Sequence, residues 1–324
     1  MITGKTIFIS PLDWGLGHAT RCVPVIRSLL QNDNKILLGT TPLTEQILTQ
    51  EFPALEKIRV PPYNIRYSSF LPLGVKLGLD APRIFSVIQK ENKLIERIVS
   101  DFQVDVIISD NRFGLYSKKV RSIFISHQLF LKAPFATVLA QKINKHYVLK
   151  FDEVWIPDYE AMNNSLSGEL SHGVHFHPHV KYIGPQSRLI NYDQMDKKYD
   201  YLFLLSGPEP YKTVLKKLLL KKAKHYPQYK FVLVNSSDEM DYGNNLETFV
   251  SPDSRTLSKL ICESKQVICR SGYSTLMDMY QLDVKNLTLI PTPGQTEQEY
   301  LSEFWSISRN CRAVRQKDLD RLIL

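Results

Sequence analysis

The chain reads Asp13-Trp14-Gly15-Leu16-Gly17-His18-Ala19-Thr20-Arg21 directly after a short apolar segment. That segment, Thr6-Ile7-Phe8-Ile9, predicts a buried strand, and the spacing of apolar residues over 19–30 predicts a helix. A glycine turn between a strand and a helix N-terminus presents backbone N–H groups, and the helix dipole favours negative charge there. His18 at this turn could take a proton from a bound hydroxyl, although a plain turn with a solvent-facing histidine gives the same pattern.

A dinucleotide-binding fingerprint is the first alternative for this turn, and the residues disfavour it. Gly15 and Gly17 match the first two glycines of that fingerprint, but Thr20 stands at the position of the third. The next predicted strand, over 35–39, also ends without the acidic residue that would bind a ribose. The sequence therefore argues against a nicotinamide-dependent oxidoreductase.

Length and composition are those of a globular protein of two domains. The chain has 324 residues, of which 43% are hydrophobic and 23% charged, with a formal net charge of +8. Its four cysteines show no CxxC spacing, no apolar stretch reaches membrane-spanning length, and we expect no signal peptide. We therefore expect a cytoplasmic protein with reduced cysteines.

The positive charge is concentrated in two acid-free runs, over 111–151 and 210–237. The second run predicts a solvated helix face. In the first run lysines alternate with apolar residues, so 135–149 could form an amphipathic helix at an anionic membrane surface. Peripheral contact with the cytoplasmic membrane face through 130–150 and an ordinary solvated helix both fit. No helix-turn-helix, zinc-finger or RNP pattern is present, so we expect no nucleic-acid partner.

Short apolar strands alternate with helical segments along the whole chain. The alternation is interrupted at Tyr182-Ile183-Gly184-Pro185-Gln186-Ser187 and starts again at Tyr201-Leu202-Phe203-Leu204-Leu205. Such alternation predicts parallel sheets flanked by helices, with ligands at the carboxyl ends of the strands. We predict an α/β protein of two doubly wound Rossmann-like domains, 1–185 and 186–324, that face each other across a cleft.

A second strand–turn–helix motif lies between Val267 and Asp278. A strand ends at Arg270-Ser271-Gly272, and Ser274 and Thr275 follow in the first turn of a predicted helix. Backbone amides and hydroxyls at such an N-terminus can hold a diphosphate, and Asp278, one turn later, could accept hydrogen bonds from a ribose. Ordinary helix capping explains each of these features when it is taken alone.

Two further segments carry polar side chains of interest. Pro291 to Tyr300 predicts a loop that enters a helix, where Gln298 and Glu299 could bind sugar hydroxyls. Between 172 and 179 the chain has four histidines without an interleaved cysteine or carboxylate. A linker loop explains these histidines better than a zinc site, and we expect no metal.

In these motifs the chain resembles the GT-B glycosyltransferases, and within them the UDP-N-acetylglucosamine transferases that make lipid II. The resemblance rests on four places: residues 15–18, residues 182–185, Arg270-Ser271-Gly272 through Asp278, and residues 291–300. It departs at Ser206-Gly207-Pro208-Glu209-Pro210, which stands in place of a glycine-rich loop. Because prolines lack an amide donor, Lys212 would have to compensate there.

The resemblance implies a role for each motif. His18 matches the catalytic base, and Asp13 and Asp110 are second candidates for that base or for the group that orients it. The residues expected to bind the sugar nucleotide are Gly15, Gly17, Gly207, Lys212, Arg270, Ser271, Gly272, Ser274, Thr275, Asp278, Gln298 and Glu299.

The activity implied is an inverting, metal-independent glycosyl transfer that uses no cofactor. The donor would be a nucleoside diphosphate sugar, UDP-linked and N-acetylglucosamine-like, and the acceptor a lipid-linked or other cell-envelope glycolipid. Two alternatives stay open. A GT-B-fold UDP-sugar epimerase would need carboxylates for acid–base work on the sugar, and a non-catalytic sugar-nucleotide-binding protein would not need His18.

Overall fold

The computed structural model describes residues 2–65, 73–130, 137–173, 176–192, 195–234 and 245–323. The chain divides into two compact units, Met1–Ser187 and Arg188–Leu324. This division falls two residues beyond the boundary expected from the Gly-Pro segment.

The first unit is built on a parallel sheet whose described strands number seven, in the order β3-β2-β1-β4-β5-β6-β7. Its elements are β1 (Thr6–Pro11), α1 (Leu16–Leu30), β2 (Lys35–Thr40), α2 (Pro42–Glu51), β3 (Glu56–Arg59), α3 (Leu73–Phe102), β4 (Val106–Asp110), β5 (Arg121–Ile125), α4 (Thr137–Val148), β6 (Glu153–Ile156) and β7 (Val180–Tyr182).

Alternating strand residues cover the two faces of this sheet. Ile7 and Ile9 of β1 pack in one core cluster with apolar residues of α1 and α2. Phe8, between them, belongs to a second cluster with Ile95 and Ile98 of α3. Because successive side chains of a strand point to opposite faces, the sheet carries helices on both sides. This is the doubly wound arrangement that the sequence predicts.

The second unit is a parallel sheet of six described strands, in the order β10-β9-β8-β11-β12-β13. Its elements are β8 (Tyr199–Leu204), α5 (Tyr211–His225), β9 (Phe231–Val234), β10 (Leu246–Phe249), α6 (Ser254–Cys262), β11 (Ser264–Cys269), α7 (Tyr273–Gln281), β12 (Leu287–Leu289), α8 (Thr296–Ser308) and β13 (Arg312–Ala313).

Each sheet reverses its strand order at one point, and the loops beside that point form the ligand site in folds of this kind. In the first unit the reversal lies between β1 and β4, where Pro11 pairs with Asp110. In the second unit it lies between β8 and β11, where Leu204 pairs with Cys269. Both motifs recognised in the sequence therefore follow strands at a switch point.

Some element boundaries differ from the prediction. The helix predicted over 19–30 begins at Leu16, so His18 lies inside its first turn rather than before it. The helix predicted over 135–149 is α4, and the segment 131–136 that precedes it lies outside the described residues. The strands β7, β10 and β13 were not predicted, because they are short and partly exposed.

Candidate functional site

The site in the first unit is set up by the turn between β1 and α1. Gly15 precedes the helix with a φ of 151°, a backbone conformation that side-chain-bearing residues rarely adopt. The turn places His18 in the first turn of α1, where its side chain keeps 18% of its surface exposed. Thr20 donates from Oγ1 to the Gly17 carbonyl at 2.9 Å, which ties the turn to the helix.

His18 contacts Asp110, which stands at the carboxyl end of the neighbouring strand β4. The His18 Nδ1 atom lies 2.9 Å from Oδ1 of Asp110, whose side chain is fully buried. Arg21, one turn along α1, donates from Nε to Oδ2 of the same carboxylate at 2.6 Å and from Nη2 to Oδ1. Cys22 donates to Oδ2 at 3.3 Å. The structure thus joins two of the three predicted catalytic residues, His18 and Asp110.

The ionisation of this cluster follows from burial and from Arg21. Burial opposes the charged form of Asp110, but the positive charge of Arg21 and contact with His18 hold its pKa well below the ordinary value. Burial lowers the pKa of His18, and Arg21 lowers it further, against the opposite effect of Asp110. Burial also raises the pKa of Cys22 well above that of a free thiol. The site therefore presents a neutral histidine beside an ionised carboxylate.

Asp13, the third predicted catalytic residue, belongs to a separate buried cluster. Its carboxylate accepts the Tyr63 backbone N–H at 3.2 Å and lies 3.6 Å from Nη1 of Arg112. Arg112 in turn donates from Nε to Glu91 at 2.7 Å. These contacts fix the loop after β1, and among the described residues no hydrogen bond or ion pair joins Asp13 to His18 or Asp110.

The site in the second unit lies at the N-terminus of α7. Gly272 precedes this helix and provides no side-chain cap. Ser271, predicted to bind phosphate, is fully buried and donates from Oγ to the Gln298 carbonyl at 2.7 Å. Ser274, Thr275 and Asp278 lie on α7 and are each partly buried. The helix N-terminus is thus the part of the predicted phosphate site that the geometry supports most directly.

Arg270, two residues before Gly272, has no exposed surface. Its Nη atoms donate to the carbonyls of Ile290, Pro291 and Tyr211 and to Oε1 of Gln316, at 2.7–3.2 Å. Burial lowers its pKa to about 10. Among the described residues its Nε has no hydrogen-bond partner, and neither does Oγ1 of Thr292. Arg270 is therefore a buried cation that ties three loops together, which the sequence alone does not show.

The two residues predicted to bind donor sugar hydroxyls are both engaged within the loop. Gln298 accepts the Thr292 N–H at its Oε1, 2.9 Å away, and its Nε2 donates to Gln295 at 2.6 Å. Glu299 accepts the Gly294 N–H at 3.1 Å and stays exposed. Gln298 thus fixes the loop, whereas the exposed Glu299 remains able to contact a ligand.

The loop between β8 and α5 carries two predicted residues, Gly207 and Lys212. Gly207 has a φ of 92°, and a Cβ added there would lie 3.4 Å from Oγ1 of Thr292. Glu209 accepts the Thr213 N–H at 3.2 Å and so places a carboxylate at the N-terminus of α5. Burial lowers the pKa of Lys212, against the effect of Glu209. The carboxylate of Glu209 therefore makes this helix N-terminus a poorer anion site than that of α7.

The histidine segment does not form a metal site in the described part of the chain. His177 accepts the His179 N–H at Nδ1, 3.1 Å away, so its Nε2–H donates to the Phe151 carbonyl at 3.0 Å. His172 lies within hydrogen-bond distance of backbone carbonyls, and His175 lies outside the described residues. Within the described ranges no three metal-ligating side chains converge.

The predicted membrane segment forms a mixed apolar and basic surface on α4. Val138 and Leu139 keep 70% and 63% of their surface exposed, and Ile143 is exposed between Lys142 and Lys145. None of the described helices has the length and hydropathy needed to span a bilayer.

Comparison with known proteins supports the same architecture. No known family model matches the chain. An uncharacterized glycosyltransferase of Methanosarcina acetivorans is 22% identical over 316 residues, which cover 88% of this chain and 79% of that protein. The rhamnosyltransferase SpnG, solved with thymidine diphosphate, superposes with a TM-score of 0.64 at 12% identity, over 98% of this chain and 89% of SpnG.

Two other solved structures show how widely this fold is shared. MurG of Acinetobacter baumannii superposes with a TM-score of 0.56 at 12% identity, over 96% of this chain and 86% of MurG. A putative UDP-N-acetylglucosamine 2-epimerase of Listeria monocytogenes gives 0.59 at 9% identity, over 98% and 86%. Together with the two doubly wound sheets, these comparisons confirm the predicted GT-B fold.

Three residues of the sites were not singled out from the sequence. Arg21 lies three residues after His18, so the two share a face of α1, and that spacing was the available signal. Cys22 gave no signal of its own. Thr292 reaches the second site only through the packing of the loop after β12 against Gly207.

Proposed function

We propose that the chain is an inverting, metal-independent glycosyltransferase that moves a sugar from a nucleoside diphosphate sugar to an acceptor hydroxyl. The contact between His18 Nδ1 and the buried Asp110 carboxylate carries this proposal. When Nδ1–H donates to Asp110, the lone pair of the imidazole lies on Nε2, where it can act as a base. Of the three side chains His18, Asp110 and Arg21, that of His18 is the most exposed to solvent.

In the proposed step, His18 Nε2 takes the proton of the acceptor hydroxyl while the oxygen attacks the anomeric carbon. The bond from that carbon to the phosphate oxygen breaks as the new bond forms, so the configuration inverts. Asp110 stabilises the imidazolium through Nδ1–H, as a buried carboxylate does in other histidine-dependent enzymes. The nucleoside diphosphate leaves with the electron pair of the broken bond.

The second unit offers groups that suit the leaving group. The N-terminus of α7 carries partial positive charge and has no side-chain cap, and the buried cation of Arg270 precedes that helix by three residues. These groups can stabilise a diphosphate without a metal ion, which supports the metal-independent form of the proposal. Asp278, on the same helix, would accept hydrogen bonds from the ribose.

The donor and acceptor are proposed in finer detail from the resemblance. A UDP-linked, N-acetylglucosamine-like donor follows from the likeness to the lipid II-forming transferases. The apolar and basic surface of α4 suits a glycolipid or cell-envelope acceptor at the cytoplasmic face of a membrane, with 130–150 as the contact. The same surface supports a peripheral location.

The epimerase and the non-catalytic binder remain the alternatives. The shared fold does not separate a transferase from an epimerase, but the position of Asp13 favours the transferase. An epimerase needs carboxylates placed for acid–base work on the sugar, and Asp13 is bound to Tyr63 and Arg112 instead. In a non-catalytic binder the contact between His18 and Asp110 would have no function.

A thermal-shift screen of sugar nucleotides tests the donor site first. We expect one nucleoside diphosphate sugar to raise the melting temperature of the wild type, since a ligand that binds only the folded state stabilises it. Asp278→Ala should lose this shift. Asp283→Ala, which alters an exposed aspartate just beyond α7, should keep it. An equal shift in Asp278→Ala would contradict the assigned donor site.

Assays with the donor identified in this way distinguish the transferase, the epimerase and the non-catalytic binder. With a glycolipid acceptor, His18→Gln should still bind the donor but lose glycosyl transfer. A wild type that converts the donor sugar to its epimer without any acceptor would instead establish the epimerase. Donor binding with neither reaction would favour the non-catalytic binder.

A further inference from the structure

Arg21 contacts three polar side chains at once, and the proposed reaction gives it no role. It lies on α1 with 2% of its surface exposed. Its Nε and Nη2 donate to the two oxygens of Asp110, its Nη2 lies 2.8 Å from Nδ1 of His18, and its Nη1 lies 2.6 Å from Nδ1 of His127. The guanidinium thus links α1 to the loops after β4 and β5.

The contact with His127 fixes the protonation of that ring. A guanidinium carries only N–H donors, so the Nδ1 atom of His127 must be the acceptor. The ring proton of His127 then lies on Nε2. A proton on Nδ1 of His127 would face the Nη1–H of Arg21, and the repulsion between these two N–H groups disfavours that arrangement. Arg21 therefore fixes the tautomer of His127.

The contact with His18 differs, because Nδ1 of His18 lies between a donor and an acceptor. Arg21 Nη2 is 2.8 Å from this atom, and Oδ1 of Asp110 is 2.9 Å from it. With its proton on Nδ1 the ring donates to Asp110 and Nε2 is a base. With its proton on Nε2 the ring accepts from Arg21. In either arrangement Asp110 keeps its two N–H bonds from Arg21, so the ring can pass from one to the other without rotating.

The charges around His18 oppose a long-lived imidazolium. The groups that face it are Arg21 on its own helix, Asp110 from β4 and His127 from the loop after β5. Asp110 already receives two N–H bonds from Arg21, so a protonated His18 would be a second cation beside one carboxylate. Cys22, which donates to the same carboxylate, stays a neutral thiol because burial raises its pKa.

We propose that Arg21 is a positioning residue that fixes the tautomer of His127, keeps His18 neutral and lets Nδ1 of His18 change partner between Arg21 and Asp110. This role rests on the proposed function of His18 as base. After Nε2 takes the acceptor proton, the repulsion from Arg21 favours its release to solvent, and the neutral ring is restored. The consequence is a base that stays unprotonated in weakly acidic solution.

Nitrogen-15 NMR of the histidine rings in the full chain tests the proposal without an activity assay. The signals of His18 and His127 are assigned from His18→Gln and His127→Gln. In the wild type we expect His127 as the Nε2–H tautomer and a titration of His18 below the ordinary histidine value of 6.5. In Arg21→Gln the titration of His18 should move up by about one pH unit or more, the usual effect of removing a neighbouring charge.

Arg21→Lys is the matched control, because it keeps the charge but loses the planar fork. His18 should still titrate low in this variant, while His127 should lose its fixed tautomer. A wild-type His127 with its proton on Nδ1, or the same His18 titration in wild type and Arg21→Gln, would overturn the proposal. If Arg21→Gln does not fold, two results still test the proposal. These are the tautomer of His127 in the wild type and the titration of His18 in Arg21→Lys.

Kinetics separate this role from a merely structural one. If the chain is a glycosyltransferase, the acid limb of kcat/KM should move to higher pH in Arg21→Gln, with the KM for the donor unchanged. A structural defect would lower kcat equally at every pH and would contradict the positioning role. If the histidine rings titrate as expected but the protein transfers no sugar, the proposed function is refuted while the effect of Arg21 on the two rings stands.

Discussion

The Nδ1 atom of His18 lies 2.9 Å from Oδ1 of Asp110, although 92 positions separate the two residues in the chain. The contact arises because β1 and β4 are neighbours in the sheet and α1 begins directly after β1. The buried carboxylate can therefore orient the imidazole and balance its charge when it takes a proton.

Asp110→Asn tests this relationship. A carboxamide cannot balance the imidazolium, so we expect kcat to fall about 100- to 10,000-fold, the range typical of lost acid–base catalysis. The KM for the donor should change little, because the donor is proposed to bind the second unit. Steady-state kinetics of glycosyl transfer measures both constants.

Asp105→Asn is the control for this variant. Asp105 lies just before β4, at the opposite end of that strand, and its side chain is 42% exposed. Its substitution should leave kcat within about twofold of the wild type, as for a surface change far from chemistry. Full activity in Asp110→Asn would show that the Asp110 carboxylate has no role in catalysis.

The two doubly wound parallel sheets, with ligands expected at the carboxyl ends of their strands, could be predicted from the alternation of strands and helices. The contact of His18 with Asp110 could not be derived in the same way. It depends on β4 pairing with β1 while β2 and β3 lie on the other side of β1. Asp13 looked equally suitable, because its place after β1 resembles that of Asp110 after β4.

The weakest predictions concerned edge strands and loop side chains. Strands of two to four residues, such as β7, β10 and β13, have too few residues to show a period. The partner of Gln298 could not be predicted, because a polar side chain in the first turn of a helix gives no sign of what it bonds. In the structure its partner is a backbone N–H six residues away.

The buried pair of Glu91 and Arg112 predicts a large stability effect. Both side chains are fully buried, and Arg112 Nε donates to Glu91 at 2.7 Å. Arg112→Met would leave the Glu91 carboxylate buried without its cation, which costs about 3–5 kcal/mol of unfolding free energy. Urea denaturation followed by circular dichroism measures this loss.

Lys119→Met is the matched comparison, because Lys119 pairs with Glu96 on the same helix as Glu91. Here Lys119 keeps 70% of its side chain exposed, so water screens the pair. The unfolding free energy should stay within about 1 kcal/mol of the wild type. Equal destabilisation by both variants would show that burial does not govern the strength of these ion pairs.

The pH dependence of stability follows from the pKa of His18. That pKa is lowered from 6.5 in the folded protein by burial and by Arg21, so below about pH 6.5 the unfolded chain binds a proton that the folded chain does not. Stability should therefore fall as the pH drops below 6.5. The contribution of Asp110, whose pKa is lowered, is lost only as the pH falls below its ordinary 3.8.

Urea midpoints between pH 7 and pH 4.5 measure this effect, with His18→Gln as the test variant. Glutamine does not titrate, so His18→Gln should lose less stability than the wild type over this interval. The same slope of stability against pH in both proteins would show that His18 does not titrate differently on folding.

The orphaned hydroxyl of Thr292 predicts a substitution that raises stability. Its Oγ1 is buried without a hydrogen-bond partner among the described residues and lies close to Gly207. Thr292→Val keeps the shape and removes the buried polar atom, so we expect a gain of about 1 kcal/mol in unfolding free energy. Ser264→Ala, in the same unit, removes a buried hydroxyl that donates to the Leu260 carbonyl at 2.7 Å and should lose about that amount. Urea denaturation measures both changes. A gain in unfolding free energy for Thr292→Val with a loss for Ser264→Ala would show that the Thr292 hydroxyl lacks a partner, whereas a loss in both variants would mean that this hydroxyl is satisfied.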